Sequence, residues 1–183
     1  MRWVAFFSQT GSEVCELSNV IGFEPSLVVT DSKARGNKID NRIYKFKQSC
    51  FVNYRDMVKQ ERLNLYRSVL NDADLITLHG WLNIVPGEIC NEYKIYNGHP
   101  GLITRYPELK GKDPQIRFAS NIQAYPTYGS VVHRVTPEVD EGEIISFYEK
   151  ETPKSVDNCF GIFKETSLEA WIEFFDSYIT IKL

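Results

Sequence analysis

WVAFFSQTGSEVCELSNV, residues 3–20, changes character twice within a short stretch. Trp3 to Phe7 is an apolar run that stops at SQTGS, and the residues from Glu13 to Val20 suit a helix, so the segment reads strand, loop, helix. The same unit recurs downstream. SLVVTD (26–31) is a β-branched run ending in turn-formers, and RIYKF (42–46) alternates apolar and charged residues as an edge or half-exposed strand does. Between Asn53 and Leu70, the residues Tyr54, Met57, Val58, Leu63, Leu65, Tyr66, Val69 and Leu70 recur near a 3.6-residue period and predict an amphipathic helix. ADLITLHGW (73–81) and YKIYNGHP (93–100) are two further apolar runs ending in Gly, His or Asn, separated by a segment whose Pro86 suits the first turn of a brief helix. Strands alternating with helices predict βαβ units and a mainly parallel sheet, in which ligands bind beyond the carboxyl ends of the strands.

After Pro107 the pattern changes. YPELKGKDPQ (106–115) is polar and turn-rich. YGSVVHRVTPEVDEGEIISFYEK (128–150) reads as two strands joined by the acidic loop 136–142, and 157–177 reads as a closing helix carrying Phe160, Phe163, Leu168, Trp171, Phe174 and Phe175. No internal repeat, low-complexity tract or linker divides the chain, so one domain spanning residues 1–183 is the expectation.

Composition narrows the classes of function. Hydrophobic residues at 43% and charged residues at 25% are globular values, which suggest neither a disordered chain nor a membrane protein. A net charge of −3 gives no general attraction to nucleic acid, and the basic residues between Lys33 and Lys47 read as a solvated strand and loop face. Cys15, Cys50, Cys90 and Cys159 stand far apart without CxxC spacing or neighbouring histidines, so reduced thiols and no metal site are expected. The start MRWVAFFSQTG has too short an apolar stretch for a signal peptide and no later run reaches a membrane span, so a cytoplasmic location is expected.

The candidate chemistry is held in few residues. Asn97 and His99 stand at i and i+2 where a strand ends, which puts both side chains on one side of the chain. An Asn amide donates to an oxyanion and a His donates beside it or shuttles a proton. A carboxylate from a separate loop, Asp140, would fix the tautomer of that His and raise its pKa. The bland alternative is that Asn97-Gly98 is a turn and His99 a polar residue before Pro100, the commoner meaning of such a string. His79 and His133 take structural roles first: His79 ends a strand, and alternation points His133 at solvent or a neighbouring strand. GxSxG, GxxxxGK[ST] and GxGxxG are all missing from the sequence. SQTGSE after the first strand is either an anion-binding loop or simply Ser12 capping a helix, with Glu13 suiting the helix dipole while repelling a phosphate.

FFSQTGS, VVTDSKARG, LITLHGWLNIVP, YNGHPGLITRYPELKG and GSVVHRVTPEVDEGEII, in that order, resemble the folate-dependent formyltransferase family, and within it the branch that acts on glycinamide ribonucleotide. The resemblance implies an α/β, formyltransferase-like (Rossmann-like) fold: a mainly parallel central sheet flanked by helices, with an antiparallel C-terminal strand pair. It implies that His99 is proton donor and oxyanion stabiliser, that Asn97 positions the formyl group, and that Asp140 partners His99 and helps move the amine's proton. It places the pterin of the co-substrate 10-formyltetrahydrofolate against Leu82, Asn83, Ile84 and Val85 and against Thr136, Pro137, Glu138, Val139 and Asp140. Arg55 is a candidate for the folate tail, and Gly11, Ser12 and Glu13 for the acceptor. The implied partner is a small-molecule amine, phosphorylated or nucleotide-linked, with no metal, nucleic acid or membrane, and the oligomeric state is open.

Several positions depart from the family pattern. Glu13 stands where Asn is usual, Gly101 and LITRYP replace the usual Ser and Leu-Leu-Pro stretch, and KGKDPQIRF is unlike the customary segment. Neither Glu165 nor Glu169 is a unique match for the family's C-terminal glutamate. Transfer to an amino sugar on a nucleotide is the alternative acceptor, and a catalytically idle folate- or nucleotide-binding module the alternative class. Transfer to methionyl-tRNA is disfavoured, since that branch carries a further C-terminal domain and a basic face.

Overall fold

The structure, a computed structural model, describes residues 1–154 and 158–182. The chain folds as two compact units, Met1–Asn97 with Val135–Pro137, and Gly98–Arg134 with Glu138–Leu183.

In the first unit, β1 (Trp3–Phe7) leads through Gly11 into α1 (Ser12–Ile21), followed by β2 (Leu27–Thr30), β3 (Ser49–Phe51), α2 (Lys59–Leu70), β4 (Leu75–His79) and α3 (Gly87–Glu92). β5 (Ile95–Pro100) begins in this unit and passes into the second between Asn97 and Gly98. β1 pairs in parallel with both β2 and β4, and β2 with β3. Every residue of β1, β2 and β4 is buried, the pattern expected of parallel strands covered on both faces. Four aromatic rings fill one side of this core. Phe6 lies 5.5 Å from Tyr66 and 5.4 Å from Trp81, Tyr54 lies 5.4 Å from Trp81, and Trp81 Nε1 donates to the Tyr66 hydroxyl at 2.9 Å. Burial holds the Tyr66 phenol well above its ordinary pKa, so it stays neutral and can serve as acceptor and donor at once.

In the second unit, a 3₁₀ turn (Pro107–Leu109) and α4 (Pro114–Ser120) lead to the antiparallel pair β6 (Thr127–Arg134) and β7 (Ile144–Glu151), closed by α5 (Cys159–Lys182). Leu102, Ile103, Leu109, Phe118, Tyr125, Tyr128, Val131 and Phe163 form its core, with Phe118 and Phe163 edge to face at 5.1 Å. β7 shows the partial, alternating exposure of a strand that leaves one face to solvent. The full strand order is β3-β2-β1-β4-β5-β6-β7, the mixed, mostly parallel arrangement that the sequence implies.

Some expected elements are placed differently. RIYKF is a 3₁₀ turn (Asn41–Lys45), not a strand: the Asp40 side chain accepts from Arg42 N at 2.9 Å, and Ile43 faces inward. Alternation over five residues does not separate a strand from a turn that buries one residue in three, and the ladder place beside β2 goes to Ser49–Phe51. The helix expected from Asn53 starts at Lys59, because residues 54–56 make their own 3₁₀ turn and the Glu61 carboxylate accepts the Val58 N–H at 2.9 Å, fixing the start there. α4 rises from a segment read as turns, and the closing helix starts at Cys159, position 157 lying outside the described residues. All four cysteines are free thiols. No helix among the described residues is long and apolar enough to cross a membrane.

Phe6 is fully buried within the aromatic cluster, so Phe6→Ala removes both its burial and the cluster's geometry. Urea denaturation should show a loss of about 3–5 kcal/mol with an unchanged m-value.

Candidate active site

β5 runs inward so that His99 is buried at 5% exposure, and the chain then turns at Pro100 and at Gly101, whose φ of 143° favours glycine. The His99 ring is held from two sides. Nε2 lies 2.9 Å from the carbonyl oxygen of Leu109, the last residue of the 3₁₀ turn, and since that oxygen only accepts, Nε2 carries the hydrogen. Nδ1 lies 3.3 Å from Asp140 Oδ2. Asp140 sits in the β6–β7 loop at φ 55°, a left-handed conformation that Asp, Asn and Gly accept more readily than other residues. Gly111 N donates to the same Oδ2 at 2.8 Å, and His133 Nε2 lies 3.4 Å from Oδ1. The β6–β7 register shifts between Val132 and His133, an irregularity of the kind that re-aims a side chain, and His133 Nδ1 lies 3.0 Å from the Arg134 carbonyl oxygen.

One carboxylate is thus shared by two imidazoles and a backbone N–H. Burial works against its charge, but His133, the His99 ring and the Gly111 N–H together outweigh burial and hold the Asp140 pKa down at about 2. The balance at His99 goes the other way. Burial pushes its pKa below the ordinary value, against the pull of Asp140 and the Leu109 carbonyl and aided by His133 and Arg117. Asp140 does act to raise the His99 pKa, as expected, but desolvation, which the sequence does not show, is larger and sets the net direction. A neutral His99 with hydrogen on Nε2 presents the Nδ1 lone pair to an ionised Asp140. A proton arriving at Nδ1 lies between the two groups and creates an imidazolium with both nitrogens hydrogen-bonded, so the pair can accept one proton.

Asn97 stands two residues earlier on the same strand, half-buried. Gly98, between them, packs against the Trp171 indole of α5. His133, read from the sequence as structural, is the third member of the cluster. The acidic loop that separates it from Asp140 is a hairpin connection, and such a connection folds its far residues back onto the strand it leaves.

The other predicted residues lie as follows. Gly11, at φ 76°, is the N-cap of α1 and makes no side-chain cap, so Ser12 is the first helical residue and not the cap. A side chain at Gly11 would also meet Phe7 and Ile43 below 3.0 Å. Ser12 N donates to Thr10 Oγ1 at 3.2 Å. The Glu13 carboxylate is taken up by His79 Nδ1 at 2.8 Å, and His79 Nε2 lies 2.9 Å from Thr77 Oγ1, which accepts from Trp3 Nε1 at 2.7 Å. This buried chain gives His79 its structural role. In the loop after β4, Leu82 and Ile84 are exposed and Val85 is buried. Leu82 N donates to Ser8 Oγ at 3.0 Å and the Ile84 carbonyl accepts from the Tyr54 hydroxyl at 3.2 Å, so these backbone groups are already partly engaged. Asn83 is clamped: Nδ2 donates to Asp31 Oδ2 at 3.0 Å and Oδ1 accepts from Arg35 Nη2 at 2.6 Å, while Arg35 Nε pairs with the same carboxylate. Thr136 is half-buried, Pro137 packs near Gly87, and Glu138 and Val139 are exposed, as is Arg55, whose carbonyl accepts from Arg62 Nη2. Among the described residues no group of three or more His, Cys, Asp or Glu side chains is arranged to hold a metal ion.

A sequence profile of the formyl transferase family matches residues 7–153. A phosphoribosylglycinamide formyltransferase of Dictyostelium discoideum is 29% identical over 125 residues, a match that covers 62% of this chain and 59% of that protein. The chain therefore spans less than two thirds of the length of that relative. The solved phosphoribosylglycinamide formyltransferase of Campylobacter jejuni subsp. jejuni shares the fold with a TM-score of 0.74 at 18% identity, covering 96% of this chain and 97% of that one. A formyltetrahydrofolate deformylase of Pseudomonas syringae pv. tomato shares it with a TM-score of 0.73 at 16% identity, over 95% of this chain and 60% of that one.

The lowered pKa of Asp140 has a signed consequence. Its contribution to stability is complete above the unfolded value of about 3.9 and is lost as pH falls through about 2. Asp140→Asn keeps a residue that accepts the positive φ and removes the titration. The stability gap between wild type and Asp140→Asn, measured by urea denaturation, should be constant around neutral pH and close between about pH 4 and about pH 2.

Proposed function

Since the chain belongs to the formyl transferase family, we propose that it moves the formyl group of 10-formyltetrahydrofolate onto the primary amine of a small molecule, glycinamide ribonucleotide, with the whole chain acting as one catalytic domain. The observation that carries this reading is the proton-accepting pair of His99 and Asp140 at the end of β5. The acceptor amine is itself the nucleophile. It attacks the formyl carbon, the carbonyl oxygen becomes an oxyanion, and Asn97 donates to it. The attacking nitrogen then carries a surplus proton, and N10 of the departing tetrahydrofolate needs one as its bond to carbon breaks. His99 and Asp140 take the first and return one to N10, so the pair ends as it began and the products are the N-formylated amine and tetrahydrofolate. As found, His99 Nε2–H is engaged by Leu109, so this geometry supports proton transfer more directly than oxyanion donation by the same ring.

The named activity of the Dictyostelium relative supports glycinamide ribonucleotide as acceptor. Glu13 bears on the same choice: its carboxylate lies in the first turn of α1, where a phosphate is otherwise favoured, and one of its oxygens is held by His79. That favours including an amino sugar linked to a nucleotide among the acceptors tested. The Pseudomonas neighbour is named a formyltetrahydrofolate deformylase, and transfer of the formyl group to water would use the same proton-accepting pair.

Purified protein with 10-formyltetrahydrofolate should release tetrahydrofolate, followed by absorbance, when glycinamide ribonucleotide is added. Release only with an amino-sugar nucleotide replaces the acceptor and keeps the chemistry, whereas formate release without any amine identifies a hydrolase. His99→Ala should lower turnover roughly 10²-fold or more while folate binding, measured by fluorescence quenching, persists. Undiminished turnover in that variant overturns the assigned role.

A further inference from the structure

We propose that Trp171 is a positioning residue for the reaction, its indole edge seated on Gly98 so as to set where β5 ends and hence how the His99 ring meets Asp140. The link to turnover rests on the formyl-transfer reading; the link to the His99 ring does not.

Gly98 stands between Asn97 and His99, and its φ lies outside the left-handed region, so the backbone there accepts any residue. What forbids a side chain is α5. A Cβ at 98 would lie 2.5 Å from Trp171 Nε1, 3.0 Å from Cε2 and 3.2 Å from Cζ2, where ordinary contact starts at 3.4 Å. Relieving that overlap requires a shift of about 1 Å by one partner or the other. The indole cannot easily be the one to move. It is fully buried, with Phe174 edge-on at 5.4 Å and Phe175 at 6.4 Å. Its helix is fastened at three points to the hairpin beneath: Ser146 Oγ donates to the Ala170 carbonyl at 2.8 Å, Ser130 Oγ to the Phe163 carbonyl at 3.3 Å, and Ser130 and Thr166 hydroxyls bond at 2.8 Å.

The same hairpin carries the other half of the pair. β6 bears His133, the β6–β7 loop bears Asp140, and both hold the carboxylate that faces His99. One frame therefore fixes Asp140 through the loop and His99 through Trp171 and Gly98. A displacement of β5 by about 1 Å disturbs the 3.3 Å approach of Nδ1 to Asp140 and the 2.9 Å bond of Nε2 to Leu109 together. Misplacement on that scale costs up to roughly 10²-fold in rate.

The test pairs a size swap with a probe that does not depend on turnover. Gly98→Ala should lower kcat roughly 10²-fold while the KM for 10-formyltetrahydrofolate stays within about two-fold. Trp171→Phe withdraws the ring edge that faces residue 98, so the double variant should regain at least about half of the loss on a logarithmic scale. In parallel, the His99 ring-nitrogen shifts are followed by NMR across a pH titration. They should move in Gly98→Ala, return toward wild type in the double variant, and move in Trp171→Phe alone, which keeps an aromatic ring in the core. Full activity in Gly98→Ala, a double variant no better than the single, or His99 shifts unaltered by Trp171→Phe would each overturn the proposal. If Gly98→Ala does not fold, the Trp171→Phe titration decides. If wild-type protein transfers no formyl group, the functional reading fails and the NMR comparison still decides the positioning role.

Discussion

A carboxylate taken out of water must be met by polar partners, and around Asp140 the second unit supplies three, one backbone N–H donor and two imidazole rings. Gly111 N–H comes from the loop after the 3₁₀ turn, His133 from the irregular end of β6, and His99 from the end of β5. Each demands a particular backbone path, so the requirement to hold one charge constrains three separate segments. The magnitudes justify ranking it first. A buried carboxylate stripped of its partners keeps the full cost of its desolvation, whereas exposed pairs such as Lys59 with Glu88 or Arg67 with Glu92 are screened by water and contribute little.

The pair at His99 and Asp140 owes its chemistry to two opposed effects of the same burial. Desolvation disfavours charge on both groups, yet Asp140 has enough donors to remain ionised and His99 does not have enough acceptors to remain protonated. The result is a neutral base beside an anion, poised to receive a proton without a large rearrangement. In the first unit Trp3, Thr77, His79 and Glu13 form one chain of hydrogen bonds, and Asp31, Arg35 and Asn83 another. They fix the loops that follow β1, β2 and β4.

Much of this was readable from residue patterns, and the failures share a cause. Continuous apolar runs such as WVAFF and LITLH identified the buried parallel strands because both faces of such strands are covered. The spacing of Asn97 and His99 was a weak signal by itself; the resemblance of YNGHPGL and TPEVDEGEII to the family's motifs is what joined His99 to Asp140, and the structure brings the two to 3.3 Å. RIYKF misled because five residues are too few to distinguish a two-residue repeat from a three-residue one. α4 was hidden by Asp113-Pro114, which announces a turn and a helix start equally well. His133 and Trp171 could not be found locally, since a hairpin irregularity defines the first and a contact between α5 and β5 the second.

The positive φ at Asp140 restricts how this site can drift. Asn and Gly join Asp as ready occupants of that conformation, and each is a single nucleotide from an Asp codon. Neither carries a charge. The easiest genetic exits from position 140 therefore keep the backbone path and discard the anion around which the Gly111 N–H and the two imidazoles are gathered.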